Sequence, residues 1–206
     1  MDELKKKILQ RQPEAVTELL EKTCIGIAGA GGLGSVVAEN LARAGIGRLV
    51  IVDFDVVEHS NLNRQRYRLD QVGMPKALAL ADNLRGCAPF TAVVPIRERI
   101  TYENCSELFR DCAIIAECLD GASEKATLVS GLLKKLPGVV VVAASGLAGI
   151  GDGDAIVSKR PLGRLHLIGD QLSDADAGEG LFASRVGIAA SKQAHIILRI
   201  ITGDVV

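Results

Sequence analysis

Residues 24–76 constrain this chain more than any other stretch. They open with an apolar run, Cys24-Ile25-Gly26-Ile27-Ala28, the pattern of a short buried strand. Gly29-Ala30-Gly31-Gly32-Leu33-Gly34 comes next, with G-x-G-x-x-G spacing. The residues after it predict an amphipathic helix, with Leu33, Val36, Val37, Leu41 and Ala44 on one face and Glu39, Asn40 and Arg43 on the other. A second apolar strand, Leu49-Val50-Ile51-Val52, ends in Asp53. Strand, glycine turn, helix, strand and acid form a nucleotide-binding βαβ unit. Gly29, Gly31, Gly32 and Gly34 let the backbone turn tightly and approach phosphate, and the helix N-terminus offers N–H donors and partial positive charge. Asp53 lies where such units place the carboxylate that binds ribose hydroxyls; the alternative is a solvated acid at a strand end.

The chain has 206 residues, enough for one domain with a sizeable core. Its hydrophobic fraction of 48% rules out a disordered chain, and with 3% aromatics and no Trp the core must be built from Val, Ile, Leu and Ala. That composition suits buried parallel strands covered by helices. A net charge of −1 argues against a broad nucleic-acid surface. No N-terminal apolar segment resembles a signal peptide, and the longest apolar run, residues 139–150, is too short to span a bilayer. The five cysteines (24, 87, 105, 112 and 118) form no C-x-x-C pair, which suggests reduced thiols in a cytoplasmic protein.

The rest of the chain extends the pattern. Residues 2–22 predict a helical arm broken at Pro13, with Lys5, Lys6 and Lys7 on a solvated face. The arm is expected to pack on the outside of the domain or on a partner subunit. Residues 54–65 are a polar excursion beyond a strand's carboxyl end, where ligands of open α/β sheets bind. A helix is predicted to start with Pro75 at its first position, placing Lys76 in the first turn. A cation there opposes the helix dipole and is easier to explain beside an anion.

Residues 91–96 read as a third strand, residues 103–110 as a short helix and residues 113–116 as a fourth strand. That strand leads to Asp120, a second acid at a strand end. The next helix buries Leu128, Val129, Leu132, Leu133 and Leu136 and is stopped by Pro137-Gly138. Residues 139–144 form the most apolar strand, expected to be central or fully covered. Residues 155–157 and 165–168 suggest antiparallel strands, residues 174–180 a mobile loop, and residues 183–201 a strong final helix. The expected fold is thus α/β: a Rossmann-like, doubly wound, mostly parallel sheet with helices on both faces and a small antiparallel C-terminal extension. The division is an N-terminal arm over residues 1–22 and one nucleotide-binding domain over residues 23–206.

G-x-G-x-x-G alone also fits an NAD or flavin enzyme. Downstream of it, however, this chain places polar and cationic residues: Asn61, Arg64, Gln65 and Lys76. Two cations and the second acid, Asp120, suit a triphosphate with Mg²⁺, and the chain has no G-x-x-x-x-G-K-[ST] loop.

Taken together, Gly29 to Gly34, Asp53-Phe54-Asp55, Asn61-Leu62-Asn63-Arg64-Gln65, Gly73-Met74-Pro75-Lys76 and Leu119-Asp120 resemble, in order and spacing, the ThiF/MoeB/HesA family, related to the adenylation domain of ubiquitin-activating enzymes. The match covers residues 23–145 tightly, and the ending is similar to the compact ThiF-like branch. The resemblance implies an ATP-dependent adenylyltransferase that activates the C-terminal Gly-Gly carboxylate of a ubiquitin-like sulfur carrier such as ThiS. It implies that the glycine loop and Asp53 hold adenosine and ribose, that Asn61, Arg64, Gln65 and Lys76 hold the phosphates, and that Asp120 holds Mg²⁺. Asp55 is a further candidate for metal or ribose, with a turn-forming role as the alternative. Arg64, Lys76 and Asp120 are the expected catalytic group.

Three departures stand out. Relatives with two C-x-x-C pairs bind zinc, and this chain has neither pair, so no zinc site is expected. No cysteine follows Cys118, so a covalent sulfur-transfer step on this chain is not expected. Gly121 stands where relatives often have Asn. Family members also supply an N-terminal arginine to a partner's site; Arg11 is the candidate, and an ordinary surface arginine the alternative. The expectation is therefore a cytoplasmic homodimer acting in thiamine biosynthesis, with no nucleic acid and no membrane as partner. Other readings are a tRNA-modifying dehydratase of the same superfamily, an NAD-dependent oxidoreductase, and a non-catalytic nucleotide-bound scaffold for a ubiquitin-like partner.

Overall fold

A computed structural model describes residues 3–173 and 178–204. Two short helices, α1 (Glu3–Leu9) and α2 (Glu14–Glu21), lead into β1 (Cys24–Ala28). The chain continues through α3 (Gly32–Ala44), β2 (Arg48–Val52), α4 (Lys76–Cys87), β3 (Ala92–Ile96), α5 (Cys105–Leu108), β4 (Ile114–Glu117), α6 (Ala122–Lys135), β5 (Val140–Ala144), β6 (Val157–Leu162), β7 (Leu165–Gly169) and α7 (Ala183–Ile201). The seven strands form one sheet in the order β3-β2-β1-β4-β5-β7-β6. All neighbours are parallel except β6, which runs antiparallel to β7.

Period-two alternation along the strands makes two cores, one on each face. Ile25, Ile27, Leu49, Ile51 and Ile114 point to the layer made by α3, α4 and α7. Ala28, Val50, Val52, Ile115 and Val141 point to the layer of α5 and α6, where Phe109 is fully buried. Phe109 fits there because its ring lies against Gly26 of β1, where a Cβ would come within 2.5 Å of it. Each such buried apolar side chain contributes about 1.5–3 kcal/mol, which fixes strand register and with it the ends of the strands.

The sequence order reverses between β1, whose next strand β2 lies on one side, and β4 on the other. The carboxyl ends of β1 and β4 therefore bound a crevice at a topological switch point.

Several local expectations shift. Pro75, with φ −56°, caps α4 instead of opening it, so Lys76 is its first helical residue. The short helix expected over residues 103–110 keeps only Cys105–Leu108. The middle of the sheet is β4, and β5 beside it meets the other half of its expectation, being buried from Val141 to Ala144. The antiparallel extension begins at Val157, because residues 153–155 form a 3-10 turn. Of the loop expected at residues 174–180, residues 174–177 lie outside the described residues. Arg11 is exposed between α1 and α2. Among the described residues no helix is long and apolar enough to cross a membrane.

Candidate functional site

The glycine turn is shaped by two close approaches. Gly29 has φ +93°, a left-handed conformation that L side chains rarely adopt, and a Cβ there would meet the Cys118 carbonyl at 2.7 Å. At Gly34 a Cβ would lie 1.8 Å from the Gly29 carbonyl oxygen, so the first turn of α3 sits directly on the loop. Ser35 ties this turn further: its Oγ donates to the Gly31 carbonyl (2.7 Å) and accepts the Arg66 N–H (3.2 Å).

β2 delivers Asp53 to the same place. Its Oδ2 accepts the Ala30 N–H at 2.6 Å and its Oδ1 the Asp55 N–H at 2.8 Å. Burial pushes the Asp53 carboxyl above its ordinary pKa, against the two N–H groups and Lys76, which favour the charged form. Asp55 does two things: its backbone closes the turn on Asp53, and its Oδ2 pairs with Lys76 Nζ at 3.0 Å. Tyr67 joins the two halves, its hydroxyl donating to the Ala30 carbonyl (2.6 Å), with the Lys76 carbonyl oxygen at 3.3 Å.

One cavity of about 190 Å³ lies over this platform, bounded by Gly29, Gly31, Asp53, Asp55, Lys76 and Asp120. Lys76 is 7% exposed there. A Cβ on Gly31 would sit 3.7 Å from Asp120 Oδ1 and 3.8 Å from Gln65 Nε2, so these two side chains flank the loop. Arg64 stands beside Gly32, where a Cβ would be 3.5 Å from its Cγ, and its Nη1 donates to Ser60 O and Asn63 Oδ1. The structure thus brings Lys76, Asp120, Gln65 and Arg64 around one glycine turn. Of the predicted site residues, Gly32, Gly34, Asn61, Arg64 and Gln65 do not line the cavity itself, and Asn61 Oδ1 accepts the Glu58 N–H in a 3-10 turn.

Two features in and beside the cavity bear on its chemistry. Gly31, Pro75 and Gly121 precede α3, α4 and α6, and none provides a side-chain cap, so three uncapped helix N-termini border one space. Each carries partial positive charge, which favours an anion. Gln65, meanwhile, is buried, and its Oε1 has no hydrogen-bond partner among the described residues. An unpaired buried acceptor costs about 1–3 kcal/mol, a cost that a bound donor removes.

Some of the lining was not foreseen from the sequence. Glu98, Arg99 and Ile100, just beyond β3, and Glu124 of α6 also line the cavity. The Arg99 guanidinium stacks over the Phe54 ring at 3.6 Å. The rule that singled out the loop after β2 applies equally after β3, and would have found residues 97–100.

The model of the ThiF family matches residues 4–205. The SAMP-activating enzyme E1 of Haloferax volcanii is 39% identical over 109 residues, 52% of this chain and 40% of that protein. The sulfur carrier protein adenylyltransferase of Thermus thermophilus is 38% identical over 104 residues, covering 50% of this chain and 38% of that one. The chain therefore spans well under two thirds of the length of these curated relatives. Among solved structures, the E. coli tRNA N6-threonylcarbamoyladenosine dehydratase in complex with ATP superposes with a TM-score of 0.88 at 20% identity, covering 98% of this chain and 96% of that one. Matched along nearly its whole length, this chain belongs to the ThiF family.

Proposed function

We propose that this protein is an ATP-dependent adenylyltransferase that activates the C-terminal Gly-Gly carboxylate of a ubiquitin-like sulfur carrier, ThiS-like, in thiamine biosynthesis. The observation that carries the reading is a cavity bordered by three uncapped helix N-termini, Lys76 and Asp120. Such a space suits a polyphosphate. Relatives named for activating sulfur carriers or ubiquitin-like modifiers, at 38–40% identity, supply the substrate class.

In this reading Asp53 accepts the ribose hydroxyls, and Gly29, Gly31, Gly32 and Gly34 let the phosphates reach the N–H groups of α3. Lys76 and Arg64 neutralise phosphate charge, with Lys76 leaving Asp55 to do so. The Gln65 amide completes the phosphate end, with Asn61 holding the 3-10 turn that leads to Arg64. The carrier carboxylate attacks the α-phosphorus, the bond to the β,γ-diphosphate breaks, pyrophosphate leaves, and a mixed anhydride with AMP remains. Catalysis consists of holding the two reactants in line and stabilising the charge that develops.

Mg²⁺ fits the residues present. No hydrogen bond or ion pair with the described residues engages the Asp120 carboxylate, which lines the cavity with Asp55 nearby. Mg²⁺ is commonly held by one or two carboxylates plus substrate phosphates, and it would supply charge neutralisation on the triphosphate. The cytoplasm is the proposed location and a homodimer the proposed assembly, with Arg11 the candidate for reaching a partner's site.

A second reading, a dehydratase acting on tRNA, is favoured by the end-to-end match with the E. coli enzyme. We place it behind the first because that likeness rests on 20% identity, against 38% to the Thermus adenylyltransferase. The deciding experiment is mass spectrometry of Gly-Gly-ended carriers after incubation with this protein, ATP and Mg²⁺. A carrier heavier by one AMP, with matching pyrophosphate release, is expected. Tight NADH binding in place of ATP would instead favour an oxidoreductase, and ATP and carrier binding without pyrophosphate a scaffold.

A further inference from the structure

Behind the cavity, at the carboxyl end of β4, lies a charged pair that takes no part in the adenylation steps. Glu117 is fully buried, and Lys125 of α6 reaches it with Nζ at 3.1 Å from Oε1 and 3.2 Å from Oε2. Burying two charges costs several kcal/mol each, and well-packed apolar residues commonly replace such a pair without loss of stability. Packing alone therefore gives no reason for it. What apolar residues could not do is bind the backbone, and this pair does so at both ends. Glu117 Oε1 accepts the Leu119 N–H at 2.7 Å, and Lys125 Nζ donates its remaining proton to the Ala144 carbonyl of β5 at 3.2 Å.

The neighbouring backbone is held from the other sides. Gln193 of α7 donates to the Glu117 carbonyl (2.9 Å) and the Val142 carbonyl (2.7 Å). The Cys118 N–H donates to the Ala28 carbonyl of β1 at 2.8 Å. Residues 117–119 are thereby tied to β1, β5, α6 and α7, and the Leu119 N–H is turned back onto Glu117 instead of continuing the strand. The next residue is Asp120. Its carboxylate has no such tether, yet it stands 3.7 Å from where a Gly31 Cβ would be. Its place is set by the peptide before it.

We propose that Glu117 and Lys125 are positioning residues that aim Asp120 at the glycine turn, so that its carboxylate can share a Mg²⁺ ion with the triphosphate. The inference rests on the adenylation reading, and its test keeps the two apart. Calorimetric titration measures ATP affinity in EDTA and in Mg²⁺ for the parent, for Glu117→Asp, for Lys125→Arg and for Glu117→Leu/Lys125→Met, with thermal unfolding of each. Glu117→Asp keeps the charge but draws the carboxylate back by one methylene from the Leu119 N–H. It is expected to bind ATP in EDTA like the parent, and to lose about tenfold of the affinity gained with Mg²⁺, the scale on which supporting residues tune metal sites. The double variant leaves no unpaired charge and is expected to lose the same gain while melting within a few degrees of the parent. Lys125→Arg, which can keep both bonds, is expected to retain it.

An undiminished Mg²⁺-dependent gain in Glu117→Asp would overturn the inference. So would equal losses with and without Mg²⁺ that track the melting temperature, since a structural role predicts those. Should the double variant fail to fold, Glu117→Asp decides alone. A parent that binds no ATP under either condition would remove the adenylation reading and this inference together, whereas a normal parent with unaffected variants removes only the inference.

Discussion

The two ends of this chain are stabilised in opposite ways. Between β1 and α4 the ties are short in space and dense: Asp53 to Ala30 and Asp55, Tyr67 to Ala30 and Lys76, Ser35 to Gly31 and Arg66. Between β5 and α7 one side chain gathers the loops. Arg185, buried at the start of α7, donates through Nη1 to the Gly151 and Asp152 carbonyls and through Nη2 to Asp170 Oδ2 at 2.6 Å. The strand beside those loops, β6, is exposed at every residue and carries Pro161, which blunts an open sheet edge. The first region brings backbone against backbone at Gly29 and Gly34, where little can change. The second is built to hold an edge in place, where most positions can.

The sharpest way to break this contrast is to add one methyl group to each region. In Gly34→Ala the new Cβ meets the Gly29 carbonyl at 1.8 Å, a backbone atom that cannot step aside. A loss above about 4 kcal/mol is expected, in the exceptional range for single substitutions. Gly163→Ala, in the β6–β7 turn, has nothing within 4 Å of the added carbon and is expected to change stability by less than about 0.5 kcal/mol. Urea denaturation of both measures the difference, and a Gly34→Ala protein as stable as the parent would show that the turn is not a rigid platform.

The same contrast applies to charge. Lys76 is buried at the cavity, whereas Lys159 lies on the exposed edge strand beside Gln171. Lys76→Ala should lower the rate of pyrophosphate exchange by about 10²–10³, the usual effect of removing one charge-stabilising donor. Lys159→Ala should leave the rate unchanged. Equal rates for all three proteins would remove Lys76 from the proposed site.

The contrast also explains what could be read from the sequence. The βαβ unit was legible because its signals are local. Apolar runs, glycine spacing and a terminal acid lie within 30 residues, and helix α7 over Ala183–Ile201 was visible as one unbroken periodic stripe. Asp53, Lys76 and Asp120 could be singled out because each closely follows a strand end or opens a helix. Tyr67, the Arg99–Phe54 stack and the Glu117–Lys125 pair carried no comparable signal, since each works through partners that only the folded sheet brings near. Nor does the sequence show that Asn61 uses its side-chain oxygen to accept the Glu58 N–H, because an Asn beside a cationic loop looks the same whether it caps a turn or faces a ligand.

A smaller effect is expected where Arg185 holds the C-terminal loops. Arg185→Ala leaves the nearly buried Asp170 carboxylate without its cation and frees two carbonyls. The cost should be about 3 kcal/mol, the low end for breaking a buried pair, because Asp170 keeps the Leu172 and Ser173 N–H groups. Protease cleavage within residues 145–173 should rise before global unfolding, while the glycine turn keeps its protection. Uniform cleavage along the chain would mean that the two regions do not open separately.

The finest test is the pH dependence of that second region. Burial alone would push the Asp170 carboxyl up, but the Ser173 and Leu172 N–H groups, the Ser173 hydroxyl and Arg185 together hold it at about 2. Its folded pKa is thus depressed below the ordinary aspartate value. The stability it contributes is complete above the unfolded pKa of about 4, and is lost as pH falls from there through about 2. Asp170→Asn carries no such titration. In urea denaturation the gap in stability between parent and Asp170→Asn should be constant from about pH 7 to about pH 5, and should then narrow as pH falls from about 4 towards about 2. A gap that stays constant over that whole range would mean that the charge on Asp170 contributes nothing, leaving neutral hydrogen bonds to tie these loops to α7.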